Sequence, residues 1–173
     1  MSRGLAEPRL RVYADATALI GLGRIGRLDL RTLLPTPTYV TGQVWEEAAG
    51  DPAKPGVEAL IQARDEGLLT VVEEGDPAAY PQLDAGESTV LSAAATVGAL
   101  VLIDERKART LIEADPHLRT SIARAIGVVG LVLLAKRRGQ VAEVRPILDH
   151  LMRESFRLAP GFYEETLRQA GEL

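Results

Sequence analysis

The sequence contains no cysteine and only two histidines, His117 and His150. The first absence excludes disulfides, thiolate catalysis and cysteine-ligated zinc or iron–sulfur clusters, and it suits a reducing cytoplasm. The second leaves little room for a histidine-built metal site. Basic charge is outnumbered as well: 20 Lys and Arg stand against 24 Asp and Glu, for a formal net charge of −4. That balance excludes a chain coated in basic charge for bulk nucleic-acid binding, but not a local basic patch. Long apolar runs are missing too. The longest, Ile126 to Ala135, is far short of the ~20 residues that span a bilayer, and it reads as a buried strand turning into a helix. Residues 1–9 carry no apolar signal core, so no membrane association is expected.

What is present is the ordinary material of a folded globular protein. The 173 residues are 46% hydrophobic and 25% charged, and a chain of this length buries roughly 70% of its extended surface on folding. One domain is expected over residues 1–173, with a core at about 10–140 and helices at 141–173 packing on it or on a partner. Strands are expected at Leu10–Ala14, Thr38–Val40, Leu68–Val72, Ala99–Ile103 and Ile126–Val129. Helical patterns cover Thr17–Leu34, broken by glycines, then Gly42–Ala49, Val57–Glu66, Glu87–Thr96, Glu105–Ala114 and Pro116–Ala125. Leu131–Arg138, Val144–Met152 and Gly161–Ala170 read as closing helices. Strands that alternate with helices in this way predict an α/β fold, with a parallel sheet covered on both faces.

Four acids occupy one kind of place. Asp15 ends the first strand and Asp104 ends the Ala99–Ile103 strand. Glu47 lies in the helix after the second strand, and Glu87 opens the helix after Gly86. In open α/β sheets ligands bind at the carboxyl ends of the strands, so these acids have a route to one pocket. Several carboxylates that close repel one another unless a cation sits between them. Oxygen ligands without His or Cys suit Mg²⁺ or Mn²⁺, which activate water and stabilise the leaving oxygen in phosphodiester cleavage. Each acid also has a plainer reading. Asp15, Asp84 and Asp104 are placed as helix N-caps, Asp84–Glu87 has capping-box spacing, and Glu46 and Glu47 fit a solvated face.

Two other signals compete. Gly21-Leu-Gly23-Arg-Ile-Gly26 matches the G-x-G-x-x-G dinucleotide fingerprint. However, it does not directly follow a strand, and the second strand ends at Val40-Thr41 without an acid. Close helix packing, or a break between two helical pieces, accounts for the same glycines. The basic clusters Arg106-Lys107-Arg109 and Lys136-Arg137-Arg138 are candidates for gripping phosphates or for solvated helix faces. Trp45 is expected in the core.

Five segments follow one another in order: Val12-Tyr-Ala-Asp15-Ala-Thr-Ala-Leu-Ile20, Val44-Trp-Glu-Glu47, Ala85-Gly-Glu87-Ser-Thr-Val-Leu-Ser-Ala-Ala94, Leu102-Ile-Asp104-Glu-Arg-Lys-Ala-Arg109 and Leu134-Ala-Lys-Arg-Arg-Gly139. Their order and spacing resemble PIN-domain proteins, in particular the DUF3368 branch related to VapC-type toxins, from Leu10 to the C-terminus. The resemblance implies a three-layer α/β/α sandwich and a Mg²⁺- or Mn²⁺-dependent ribonuclease. Asp15, Glu47, Glu87 and Asp104 would be the catalytic and metal-holding acids, with Glu46 the one-residue alternative to Glu47. Arg106, Lys107 and Arg109 would contact RNA. It further implies a toxin–antitoxin role with a small cognate antitoxin, and a homodimer. The chain departs from the family pattern where two aspartates often stand, here Asp104-Glu105, and where Gly-Thr often stands, here Gly127-Val128. The segment around Asp115–Thr120 looks like a short insertion. The alternative functions are an inactive PIN-like binding module and a nucleotide-binding protein using Gly21–Gly26.

Overall fold

The computed structural model describes residues 10–173. Five parallel strands form its central sheet: β1 Val12–Ala14, β2 Thr38–Thr41, β3 Leu69–Val72, β4 Leu100–Leu102 and β5 Arg124–Ile126, in the order β3-β2-β1-β4-β5. Every residue of β1 and β4 is buried. Successive strand side chains point to opposite faces, so burial without alternation means both faces are covered. The covering helices are α1 Ala16–Arg24, α2 Gly42–Ala49, α3 Val57–Asp65, α4 Ala85–Val97, α5 Arg106–Ala114, α6 Pro116–Ser121, α7 Val128–Arg137, α8 Arg145–Arg153 and α9 Pro160–Gln169. This is the expected α/β/α sandwich. No helix of the described residues is long and apolar enough to cross a membrane.

The strand order reverses beside β1. The chain leaves β1 toward β2 and β3, then returns to place β4 on the opposite side of β1, with Val12 facing both Thr38 and Leu100. A parallel sheet opens a crevice at such a switch point, outside the carboxyl ends of its strands. Asp15 and Asp104 are the residues that leave β1 and β4 there. Helix α4 packs on β1, β2 and β4. Its buried Ala93 and Ala94 let it lie close to the sheet.

Three local expectations shift. The helical stretch Thr17–Leu34 divides: α1 ends at Arg24, Gly26 takes a positive φ of 67°, and the chain resumes as a 3₁₀ segment over Leu28–Leu33. The Pro116–Ala125 stretch stops as α6 at Ser121, and the last strand lies at Arg124–Ile126 rather than Ile126–Val129. The reason is long-range: the Asp104 carboxylate accepts the Val128 N–H and starts α7 there, overriding the β preference of Val128-Val129.

The C-terminal helices join the same buried cluster, which runs from Val12 to Leu167. Glu172 ties the end of the chain down. It accepts from Lys136 Nζ at 2.8 Å, the Val144 N–H at 2.7 Å and the Arg145 N–H at 3.0 Å. Burial alone would raise its pKa, but the Lys136, Arg145 and Val144 hydrogen bonds win and hold it at about 2.

Candidate functional site

Asp15 is the hub of the switch-point crevice. Its side chain is buried, and Oδ1 accepts the Ala18 N–H at 2.8 Å, capping α1. Oδ2 accepts the Asp104 N–H at 3.0 Å and the Glu105 N–H at 3.5 Å, pinning the end of β4. Burial pushes its pKa up to about 7. The Ala18 hydrogen bond opposes the rise, and the Asp104 charge adds to it.

Five carboxylates, those of Asp15, Glu47, Asp84, Glu87 and Glu105, line one small cavity with Thr17 and Val44. Its volume is about 10 Å³, near what a single water needs. Asp84 and Glu87 are held there by a capping box on α4: the Glu87 N–H donates to Asp84 at 2.8 Å, and the Asp84 N–H to Glu87 at 3.3 Å. Glu105 accepts from Thr17 Oγ1 at 2.8 Å. Gly86 matters because of Glu47: a Cβ on Gly86 would stand 2.8 Å from Glu47 Oε2. Burial pushes Glu87 up to about 7, with Asp84, Glu105 and Glu47 adding repulsion. Glu47 is raised in the same sense, by burial and then by Asp84 and Glu105. None of these acids pairs with a Lys or Arg among the described residues. Nor, among those residues, does any group of three His, Asp or Glu side chains converge closely enough to ligate one ion directly.

Asp104 stands beside the cavity, not on it. Both its carboxylate oxygens accept the Val128 N–H, at 3.2 and 3.1 Å. Burial pushes its pKa up to about 6, against the pull of that hydrogen bond and of Arg109. A Cβ on Gly127 would lie 2.6 Å from Asp104 Oδ1 and 2.8 Å from an Arg109 nitrogen, so glycine makes room for both.

The structure therefore brings Asp15, Glu47 and Glu87 together, and joins Asp104 to them through the Asp15 carboxylate. Glu47, not Glu46, reaches the cavity. Sequence reasoning passed over two acids there. Asp84, a cap by its spacing, is also a neighbour of Glu47. Glu105, the second member of the pair that departs from two aspartates, reaches the cavity as well. The signal for it was the pair Asp104-Glu105 itself, since adjacent residues leaving a strand point to different sides. One of the two meets α7 and the other meets the acids.

Asp104 and Glu105 also open onto a second, larger hollow. This groove has a volume of about 1220 Å³ and runs from the ends of β4 and β5 along α1, α5 and α7 to residues 154–158. Arg24, Arg106, Arg109, Arg124, Arg137 and Arg157 line it. Lys107 is exposed outside that lining, and Lys136 is occupied by Glu172. Each basic cluster thus splits by helical position. Gly21 and Gly23 of the fingerprint lie inside α1 and Gly26 just past its end, so none sits in a strand–helix turn. A Cβ on Gly21 would come within 2.9 Å of the Phe156 ring, and one on Gly23 within 3.0 Å of the Gly56 carbonyl oxygen. The work of Gly21 and Gly23 is close packing, and that of Gly26 is the positive φ of 67° that ends the helix.

The profile of the DUF3368 family, described as a PIN domain, matches residues 11–172. No curated protein and no solved structure matches the chain.

Proposed function

The chain belongs to the DUF3368 family of PIN domains, a nuclease-type fold, and from that membership and the geometry of its acids we propose that it is a Mg²⁺- or Mn²⁺-dependent endoribonuclease. One observation carries the reading: five carboxylates share a cavity at the switch point with no paired cation among the described residues. Such a cluster is costly to ionise unless a cation joins it.

The residues fit a divalent ion in donor chemistry. All are hard carboxylate oxygens, and none is spent on a lysine or arginine. Mg²⁺ keeps several of its waters and is commonly held through one or two carboxylates, so direct convergence of three side chains is not required. Asp15, Glu47, Glu87 and Asp104 would hold it, with Glu105 as the added acid. When bound, the ion supplies charge neutralisation at the phosphate and eases deprotonation of water.

The chain's own groups do the rest. Asp15 locks the ends of β1 and β4 together, so the acids keep their spacing. Gly86 leaves the Glu47 carboxylate its place. Arg106 and Arg109 neutralise phosphate beside Asp104. No histidine base is needed. A toxin–antitoxin role, with a cognate antitoxin, a second copy of the chain and a cytoplasmic setting, belongs to this reading as what the family suggests. The lack of three directly convergent ligands among the described residues favours, as a second reading, an inactive PIN-like binding module.

RNA cleavage with Mn²⁺ tests the proposal, wild type beside Asp104→Asn and Glu87→Gln. Asparagine and glutamine keep an acceptor for the Val128 and Asp84 N–H groups while removing charge. Cleavage by the wild type, reduced at least a hundredfold in both variants, is expected. Equal cleavage by all three would end the metal mechanism. No Mn²⁺ binding by calorimetry at millimolar metal, with no cleavage, would select the binding module.

A further inference from the structure

We infer that Arg31 holds a small monovalent anion, of the size and charge of chloride or nitrate, in the helical layer on the opposite side of the sheet from α4. The site lies apart from the acidic crevice and does not depend on the nuclease reading.

The sequence sets up the conflict. Residues 28–33 run as a 3₁₀ segment, in which side chains three apart eclipse one another. Asp29 and Thr32 share the exposed row, and the Thr32 hydroxyl donates to the Asp29 carbonyl at 2.6 Å. Arg31 falls in the row of Leu28 and Leu34, both buried. The guanidinium is carried inward with them: Arg31 is 1% exposed, and it is the one buried Lys or Arg among the described residues.

Every donor of that side chain is left over. Nε, Nη1 and Nη2 are all buried, and none has a hydrogen-bond partner among the described residues. No carboxylate among them pairs with it. Asp29, the nearest acid in sequence, is exposed and taken by Arg27 Nε at 3.0 Å. Burial pushes the Arg31 pKa down, but a guanidinium stays charged at neutral pH. An unpaired buried charge is strongly destabilising, so a core that keeps one needs a counter-ion.

A second orphan faces the same layer. Thr38, at the start of β2, is fully buried, and its Oγ1 has no partner among the described residues. The next residue, Tyr39, has its ring 5.5 Å from that of Tyr13. The Tyr13 hydroxyl donates to Glu74, whose neighbour Gly75 packs on Thr89 of α4. Strand side chains alternate, so Thr38 faces away from α4, toward the layer that the 3₁₀ segment shares with α1, α3 and α7. A guanidinium and a hydroxyl left over on one layer call for an acceptor, not a cation.

Burial sets the size and charge of that acceptor. No side chain of a partner protein reaches Arg31 through the closed fold, whereas a small ion enters when a short segment opens locally. The desolvation of an ion grows with the square of its charge. An interior that offers one positive charge therefore takes chloride or nitrate ahead of sulfate or phosphate.

Thermal melts of the full chain in EDTA test this, comparing sodium gluconate, chloride, nitrate and sulfate at an ionic strength of about 0.15 M. Wild-type Tm is expected to be about 3 °C or more higher in chloride and nitrate than in gluconate, and higher than in sulfate. Bulk salt effects favour sulfate, so they give the opposite order. Arg31→Met replaces the buried cation by an apolar chain. It should melt at least as high as the wild type in gluconate and lose the response to chloride and nitrate. Diffraction from wild-type crystals soaked in bromide needs no variant: an anomalous peak within about 3.5 Å of the guanidinium nitrogens is expected. Sulfate matching or exceeding chloride, an equal chloride response in Arg31→Met, or water alone at the guanidinium overturns the inference. Residues 1–9 carry one acid, Glu7. A chloride response that appears only in Glu7→Gln would make the counter-ion a carboxylate of the chain itself, and overturns it as well.

Discussion

Replacing Glu87 by glutamine should make the metal-free protein more stable in mild alkali. Glutamine keeps the acceptor that the capping box of α4 uses, so the substitution removes charge and little else. The ordinary pKa of 4.5 is pushed up to about 7 by burial and by Asp84, Glu105 and Glu47. A folded pKa above the unfolded one means the stabilising contribution is full below 4.5 and is lost as pH rises through about 7. A shift of that size is worth at most ~3.5 kcal/mol at ~1.4 kcal/mol per pKa unit. The side chain is partly open to solvent, so about half, ~1.5–2 kcal/mol, is expected after screening. For a chain of this length that corresponds to a Tm gain of ~4–6 °C at pH 8. At pH 5 wild-type Glu87 is largely protonated in the fold, and the gain shrinks to a few tenths of a kcal/mol. Millimolar Mn²⁺ should raise the Tm of the wild type more than that of the variant, because a ligand of the native state stabilises by mass action. The assay is a thermal melt at both pH values, in EDTA and with Mn²⁺. A variant that melts below the wild type at pH 8, or a difference equal at the two pH values, would refute the account of mutual repulsion.

Other perturbations separate site from scaffold. Gly86→Ala should leave Tm within about 1 °C, because the displaced group is the mobile end of Glu47, yet weaken Mn²⁺ binding at least tenfold by calorimetry. Glu172→Gln should cost about 1–2 kcal/mol at pH 7, the full shift being discounted for solvent screening. Here the folded pKa is lowered, so the contribution is present above 4.5 and fades as pH falls toward about 2; urea melts across that range check it. Gly21→Val should push the Phe156 ring away and expose the 154–158 segment to limited proteolysis. A variant cut no faster than the wild type would show that the ring does not hold that segment.

Much of the fold was legible because its signals are local. The continuous apolar run Ala99–Ile103 has the length and pattern of a doubly covered strand, and it contains β4. The Asp84–Glu87 spacing foretold the capping box, and Gly98 the end of α4. The last strand lies at Arg124–Ile126 rather than Ile126–Val129 because a residue 24 positions away decides where α7 starts. Nothing in the Ile126–Ala135 run marks its own boundary.

The sequence by itself determined the family, the alternation of strand and helix, and carboxylate oxygen as the main ligand chemistry. Those properties are carried by residue type and spacing. Tertiary structure alone decided which acids meet. Topology places β4 beside β1, and the turn away from the strand sends Glu105 to the acids and Asp104 to α7. Tertiary structure also gathered into one groove arginines spread from residue 24 to residue 157. Their convergence depends on contacts between elements far apart in the chain, and no local pattern records such contacts.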